Sequence, residues 1–411
     1  MTTRTLTAPA ACAALLLAAS ASAQASVWRV ASDGDVILVA PGGYAPFRVS
    51  GKGLRLHGPG AVVFNTEGNS PVETVLIEGT AAQQAVVLDG LQMVAFAPGS
   101  PSTVHVDGCA GPVWLSNAFI DSYGAAALHV EGSASVVLER CVLQTNLTTP
   151  SALGEPQPQP GARVDGGARL FAYDTVFQGS HGPLVLPGGP ALVAPEDGGA
   201  GLLLDGAEAR LYGCKLSGGN GNSLLLAGCL LGGDGGDGAL LVSSSGTPPA
   251  LFVTGGAAQP AQGGPFDPGC APPSAPGAPF DVQAGALQQS GAVPRLLGID
   301  PAAPPSGAEV HLALEGVAGD LFLLFASGAA APGVTLPFAG TPFGLDLHLA
   351  PAPLVLVHAS PLSSPHAAAV LTAPALPPDL AAATPALQGL FVDALGAPHA
   401  AQPRALTVLA P

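Results

Sequence analysis

The chain has 411 residues, only 10% of them charged, and 12 basic residues face 28 acidic ones for a formal charge of -16. So few cations exclude nucleic acid, whose binding rests on basic contacts to phosphate, and the same argument weighs against polyanionic sugars. The 56 glycines and 43 prolines exclude long helices, while an apolar content of 48% is too high for a disordered chain.

At the N-terminus, Arg4, an apolar run from Ala8 to Ala19 and the small-residue site Ala21-Ser22-Ala23 predict a signal peptide over residues 1–23. A secreted or cell-surface protein is therefore expected. No later stretch offers about 18 apolar residues free of Gly and Pro, so no membrane span is expected. Cys109, Cys141, Cys214, Cys229 and Cys270 remain after removal of the leader. Their number is odd and they form no C-x-x-C pair, which argues against a zinc site and leaves at least one thiol free.

From Val27 to about residue 255 two short patterns alternate. The first is an apolar strand closed by an acidic residue and glycine. It ends in Glu78-Gly79, Asp107-Gly108, Glu131-Gly132, Asp165-Gly166 and Asp205-Gly206. The second is a hexamer that starts at Leu88, Leu115, Leu138, Ala172, Leu211 and Leu226. Its third slot holds Gly90, Asn117, Arg140, Asp174, Gly213 and Gly228, residues that mostly tolerate a tight bend. Its fourth slot holds Leu91, Ala118, Cys141, Thr175, Cys214 and Cys229, small or apolar side chains suited to a narrow interior. Successive starts differ by 27, 23, 34, 39 and 15 residues. A coil of a parallel β-helix takes roughly 20–30 residues, so the patterns predict stacked coils. The long intervals hold insertions at 147–160 and 180–199, read as protruding loops, and the last interval is too short for a full coil.

The first coil carries a second signal. Asp33-Gly34-Asp35-Val36-Ile37-Leu38-Val39-Ala40-Pro41-Gly42-Gly43-Tyr44 resembles the opening coil of pectin-lyase-like right-handed parallel β-helix proteins. That resemblance covers about half of the chain. It implies a fold shared by lyases, hydrolases, esterases, epimerases and non-catalytic surface proteins, and it does not select among them.

Residues 256–305, rich in Gly, Pro, Ala and Gln, are expected to hold the end of the helix and a linker. From 306 to 411 short apolar strands recur, among them Val310–Leu314, Leu321–Phe325, Leu345–Leu349 and Leu354–Val357. They predict a small antiparallel β-sandwich. The fold class expected is thus all-β, a right-handed parallel β-helix followed by a sandwich.

Each candidate site residue has a plain structural reading beside it. Asp121 with Tyr123, and Asp174 with Tyr173, are acidic-aromatic pairs, and His181 sits in a Gly-Ser-His-Gly element similar to one of polygalacturonase-type hydrolases. A glycosidase needs two carboxyls about one bond, and no second carboxylate accompanies them; a turn residue is the plain reading. Asp234 and Asp237 in Gly232–Gly238 resemble one calcium-binding nonapeptide, against a flexible turn. The acidic-glycine corners could align carboxylates for Ca²⁺, or simply be solvated turns. Cys214 and Cys229 could be bridged neighbours or plain core residues. His105, His129, His311 and His348 are read as surface residues, with no metal site and no cofactor expected. Trp114 and Tyr212 are expected to face outward as platforms for sugar, with Trp28 capping the first coil.

Two function classes follow. One is a non-catalytic protein at the cell surface, binding extracellular polysaccharide or surface components. The other is a carbohydrate-active enzyme, a lyase or hydrolase, acting on a neutral or weakly charged glycan. A calcium-dependent adhesin is a third.

Overall fold

The computed structural model describes residues 31–65, 73–95, 102–146, 158–182, 197–226, 229–266, 268–269, 273–328, 330–336, 345–350, 354–376, 382–383 and 385–410. The signal segment, Trp28 and Cys270 lie outside these residues, as does most of both insertions.

Three parallel sheets of nine, eight and eight strands wrap one interior, forming a right-handed parallel β-helix. Each coil adds one strand to each sheet. Sheet I runs from Asp35–Leu38 to Ala286–Ser290, sheet II from Gly42–Tyr44 to Ala257–Gln259, and sheet III from Phe47–Ser50 to Phe280–Val282. The strands stack in register because the first slot of the hexamers repeats: Leu56, Leu88, Leu115, Leu138, Ala172, Leu211 and Val253 pair from rung to rung. A one-residue slip would turn this entire row outward, so burial fixes the register.

The two corner types work as the residue types suggest. The glycines after the acidic residues, Gly79, Gly108, Gly132, Gly166 and Gly206, all have left-handed φ between 56 and 64°. In the hexamers the left-handed residue is the third slot. Asn117, Arg140 and Asp174, the non-glycine residues with positive φ among the described residues, all occupy it. The fourth slot then points inward: Leu91, Ala118, Cys141, Thr175 and Cys214 are at most 2% exposed. Small donors suit this slot because each returns a hydrogen bond to a neighbouring backbone carbonyl. Cys141 donates to Leu115 O at 3.2 Å, Cys214 to Ala172 O at 3.3 Å and Thr175 to Tyr173 O at 3.0 Å. Burial pushes both thiols up to about 12.

One reading of the repeat is corrected, and one left open by the sequence is decided. The sixth hexamer is not a coil. Ser223–Leu226 pairs antiparallel with Cys229–Gly232, a hairpin inserted between successive coils, which explains the short 15-residue interval. The turn after Leu211 is instead completed by Ala250–Thr254, whose Val253 fills the first slot. Cys214 and Cys229 are not bridged: Cys109, Cys141 and Cys214 are free and buried, and Cys229 is disulfide-bonded to a partner outside the described residues.

The glycine-rich stretches are packed chain, not flexible turns. The backbones near Ser180, Gly199, Gly219 and Gly236 run side by side, joined by Gly199 N to Ser180 O at 2.7 Å, Gly219 N to Gly199 O at 2.8 Å and Gly236 N to Gly219 O at 2.8 Å. A Cβ on Gly219 would stand 1.8 Å from the Ser180 carbonyl oxygen, so no other residue fits there without moving a chain.

Leu296–Asp300, Glu309–Glu315 and His366–Thr372 form an antiparallel sheet facing a second one built from Leu354–Pro361, Leu321–Ser327, Ala386–Val392 and Pro398–Ala405. Their own core centres on Leu297, Val310, Leu312, Phe322, Leu324 and Phe391. This sandwich is seated on the outer face of sheet I. Val87, Trp114, Val137, Phe171 and Tyr173 of the helix pack there with Ala386 and half-buried Leu349 and Ala330. Arg404 pairs with Glu139 across the junction, and Asp346 accepts a hydrogen bond from Tyr212 and sits 3.5 Å from Arg210 Nη1. No helix among the described residues is long and apolar enough to cross a membrane.

Candidate functional site

A β-helix offers three outer faces, and the sandwich removes one. Trp114 and Tyr212 do turn away from the coil interior, but Trp114 is 2% exposed beneath the sandwich and Tyr212 stacks on Tyr173 at 4.8 Å. They are therefore an interface, not a sugar platform. The same docking removes the Asp174–Tyr173 pair as a site: Tyr173 is fully buried, which raises its phenol well above the ordinary range, while Asp174 is an exposed left-handed corner. His348, expected at the surface, is 0% exposed and meets the Phe171 ring edge-on at 4.6 Å. Its strand is drawn into the junction, and burial lowers the imidazole to about 3. His311 is exposed as expected.

The outer face of sheet II is not covered by the sandwich among the described residues, and its outward side chains range from buried Val94 and Asp121 to exposed Phe64 and Gln259. Strand alternation aims one row outward, and its register runs Phe64, Val94, Asp121, Gln144, Gln178, Ser217 and Gln259. Tyr123 and Asn146 lie beside it, two residues along the same strands. Rungs repeat at about 4.8 Å, so the last four of that row, the amides Gln144, Gln178 and Gln259 with Ser217 among them, form a polar ladder at regular spacing. Asp121 is 8% exposed, and burial is the largest influence on its carboxyl, holding it above the usual range against hydrogen bonds from Gln144, Asn146 and the Ser122 backbone. The positions in register with Asp121 are Val94 and Gln144, neither a carboxylate.

His181 belongs to the edge of the same face. Its Nε2 is 3.3 Å from Gln178 Nε2, and its Nδ1 accepts the Asn220 N–H at 2.9 Å, which ties it to the packed glycine chains. Asp121 and Gln178 are two rungs apart, roughly 10 Å, so Asp121 and His181 share a face without meeting.

No protein-family model matches the chain, and no curated protein matches it. Among solved structures, superoxide reductase (neelaredoxin) from Ignicoccus hospitalis aligns over 28% of this chain and 80% of its own, at 10% identity and a TM-score of 0.18. Full-length tailspike protein 2 from Escherichia coli O157:H7 bacteriophage CAB120 aligns over 91% of this chain, at 12% identity and a TM-score of 0.22; the chain spans 64% of that protein's length. Neither likeness is near enough to carry an argument about family or activity.

Asp234 and Asp237 each hold the following coil by its backbone. Asp234 Oδ1 accepts from Ala275 N at 2.6 Å and Asp237 Oδ1 from Ala278 N at 2.7 Å, while Asp234 N donates to Asp197 Oδ1 at 2.7 Å. This is a ladder of carboxylate-to-amide links between coils, in which a carboxylate oxygen of each is already engaged.

The acidic corners of sheet III do align: Glu78, Asp107, Glu131, Asp165 and Asp205 pair from rung to rung. Their repulsion is relieved by a neighbouring row. Arg48 pairs with Glu78, and Asp165 takes Arg163 at 2.7 Å and His129 at 3.1 Å. Asp205 accepts the Ser244 N–H at 2.8 Å. His105, His129 and Glu131 converge within this array. The sequence carried the signal, since Val104-His105-Val106-Asp107-Gly108 and Leu128-His129-Val130-Glu131-Gly132 put both histidines in one slot of the repeat.

Proposed function

We propose that the chain is an exported, non-catalytic β-helix protein of pectin-lyase-like type that lies along a neutral extracellular polysaccharide through the outer face of sheet II. The observation that carries this reading is the row Gln144, Gln178, Ser217 and Gln259 in register on successive rungs, flanked by Asn146 and Tyr123. Uncharged amides and hydroxyls both donate and accept, which suits sugar hydroxyls, and the rung repeat is comparable to the length of one hexopyranose residue. A formal charge of -16 favours a neutral over an acidic polymer. Non-catalysis is supported by the partners of Asp121, amides and a backbone group, where glycoside hydrolysis uses two carboxyls. Export rests on Arg4, the apolar run from Ala8 and the Ala21-Ser22-Ala23 site.

The test is affinity electrophoresis of the purified chain through gels holding neutral β-glucan, mannan or xylan, with pectate as the acidic comparison. Retardation by a neutral polymer, relieved in Gln144→Ala and Gln178→Ala, is expected. Retardation by pectate alone, or by none, would refute the binding reading. Release of reducing ends or unsaturated products from any polymer would refute non-catalysis.

A further inference from the structure

On sheet III, two residues upstream of the acidic corners, the outward row reads Arg48, Leu76, His105, His129, Arg163 and Leu203. His105 and His129 are thus in register on adjacent rungs. Their rings lie 5° from parallel with centroids 4.6 Å apart. Glu131 follows His129 by two residues and turns to the same side. A ring nitrogen from each histidine and an oxygen of Glu131 all lie within 4.8 Å of one another.

Two further observations make this more than a cluster of polar side chains. His105 Nε2 is shut off from solvent and has no hydrogen-bond partner among the described residues; Glu131 Oε2 stands 3.8 Å away, beyond hydrogen-bond reach. A buried polar atom left unpaired is costly, so a ligand at His105 Nε2 would relieve that cost. On its other side, His105 Nδ1 is 3.3 Å from Glu73 Oε1. With Nδ1 donating to that carboxylate, the Nε2 lone pair would face Glu131, the arrangement in which histidine ligates metals. His129 is likewise held by a carboxylate, Asp165.

We propose that His105, His129 and Glu131 form a binding site for a divalent transition metal of the Zn²⁺ class, joining two coils, with Glu73 as the positioning residue for His105. Two imidazoles and one carboxylate select Zn²⁺, Ni²⁺ or Cu²⁺, whereas Ca²⁺ takes oxygen ligands. Glu73, Glu131 and Asp165 place three acidic groups around the imidazoles, a field that favours a dication. Tetrahedral zinc holds its donors about 3.3 Å apart. Glu131, 3.8 Å from His105 Nε2, closes in by a change of rotamer, its side chain being 52% exposed, and one of the two stacked imidazoles turns out of the parallel arrangement so that both lone pairs meet the ion. Three protein ligands leave one position for water or an outside donor.

The site is tested on the full secreted chain, without a histidine tag and stripped with EDTA, by calorimetric titration with Zn²⁺ and by visible absorption with Co²⁺. One Zn²⁺ per chain, unaffected by excess Ca²⁺, and Co²⁺ bands of low coordination number are expected. Both should be lost in His105→Gln and Glu131→Gln. Glu73→Gln should bind roughly 10- to 100-fold more weakly, as loss of a partner behind a ligand does. Circular dichroism checks folding, and if His105→Gln fails to fold, Glu131→Gln at its exposed position carries the test. Absence of stoichiometric Zn²⁺ binding by the unaltered chain, or equal affinity in Glu131→Gln, would overturn the proposal.

Discussion

Replacement of Gly219 by alanine tests the packed glycine chains most sharply. The new methyl carbon would lie 1.8 Å from the Ser180 carbonyl oxygen and 2.2 Å from its carbon. Ordinary contact is roughly 3.5 Å, so the chains must part by about 1.7 Å. The 2.8 Å hydrogen bonds that Gly219 makes to Gly199 and Gly236 would then exceed 4 Å and break. Two lost bonds cost about 0.5–1.5 kcal/mol each, and the buried groups left unpaired add more, so Gly219→Ala should destabilise by about 3–5 kcal/mol. Gly291→Ala is the control, because no atom lies within 4 Å of its Cβ position; it should cost under about 0.5 kcal/mol. Hydrogen exchange read by mass spectrometry over residues 197–222, with urea unfolding, measures both. Equal protection and equal midpoints in the two variants would refute the close-packing argument.

Other expectations follow from the junction and the interior. His348, lowered from 6.5 to about 3 by burial, stays neutral in the fold while the unfolded chain protonates. Its contribution is therefore complete above pH 6.5 and is lost as pH falls toward 3, on the order of 4–5 kcal/mol in full. Proton uptake by the raised carboxyls of Asp346 and Glu139 offsets part of that loss. Urea midpoints between pH 7 and 4 should fall less in His348→Gln than in the unaltered chain; parallel slopes would contradict this. Arg404→Met removes the buried cation of Glu139, itself 1% exposed, and leaves it only the exposed Arg140 at 3.1 Å, so it should cost about 3 kcal/mol, whereas adding Glu139→Gln should recover most of it in a double-mutant cycle. Additivity in that cycle would mean the pair is not coupled. Finally, Cys109, Cys141 and Cys214 should resist a disulfide reagent at pH 8 until the chain is unfolded, when all three react. Rapid reaction of the native protein would place them at the surface.

The coil stack was legible because stacking writes itself into the chain: a left-handed corner every coil demands Gly, Asn or Asp, and an inward row demands small or apolar side chains. Asn117, Asp174, Cys141 and Thr175 carried that message, and Arg140 obeyed it in conformation although not in type. The hexamer at Leu226 imitated the pattern because a hairpin strand with glycine beside cysteine has the same local composition. Contacts between distant segments leave no such periodic trace. Trp114, Tyr212 and His348 alternate as half-exposed strand residues should, and only the seating of the sandwich on sheet I buries Trp114 and His348. Glycine content likewise does not separate a loose turn from chains packed backbone to backbone, as at Gly199, Gly219 and Gly236. The amide ladder was hidden for another reason: Gln144, Gln178 and Gln259 are unremarkable singly and become a surface only when the rungs bring them into line.

A length series of oligosaccharides from one neutral polymer addresses the binding face directly. If successive rungs of sheet II each meet a sugar, affinity measured by calorimetry should climb with every added residue until the amide row is spanned, and Gln178→Ala should shorten that climb. Affinity that is flat with length, or indifferent to Gln178, would contradict a ligand laid along the rungs.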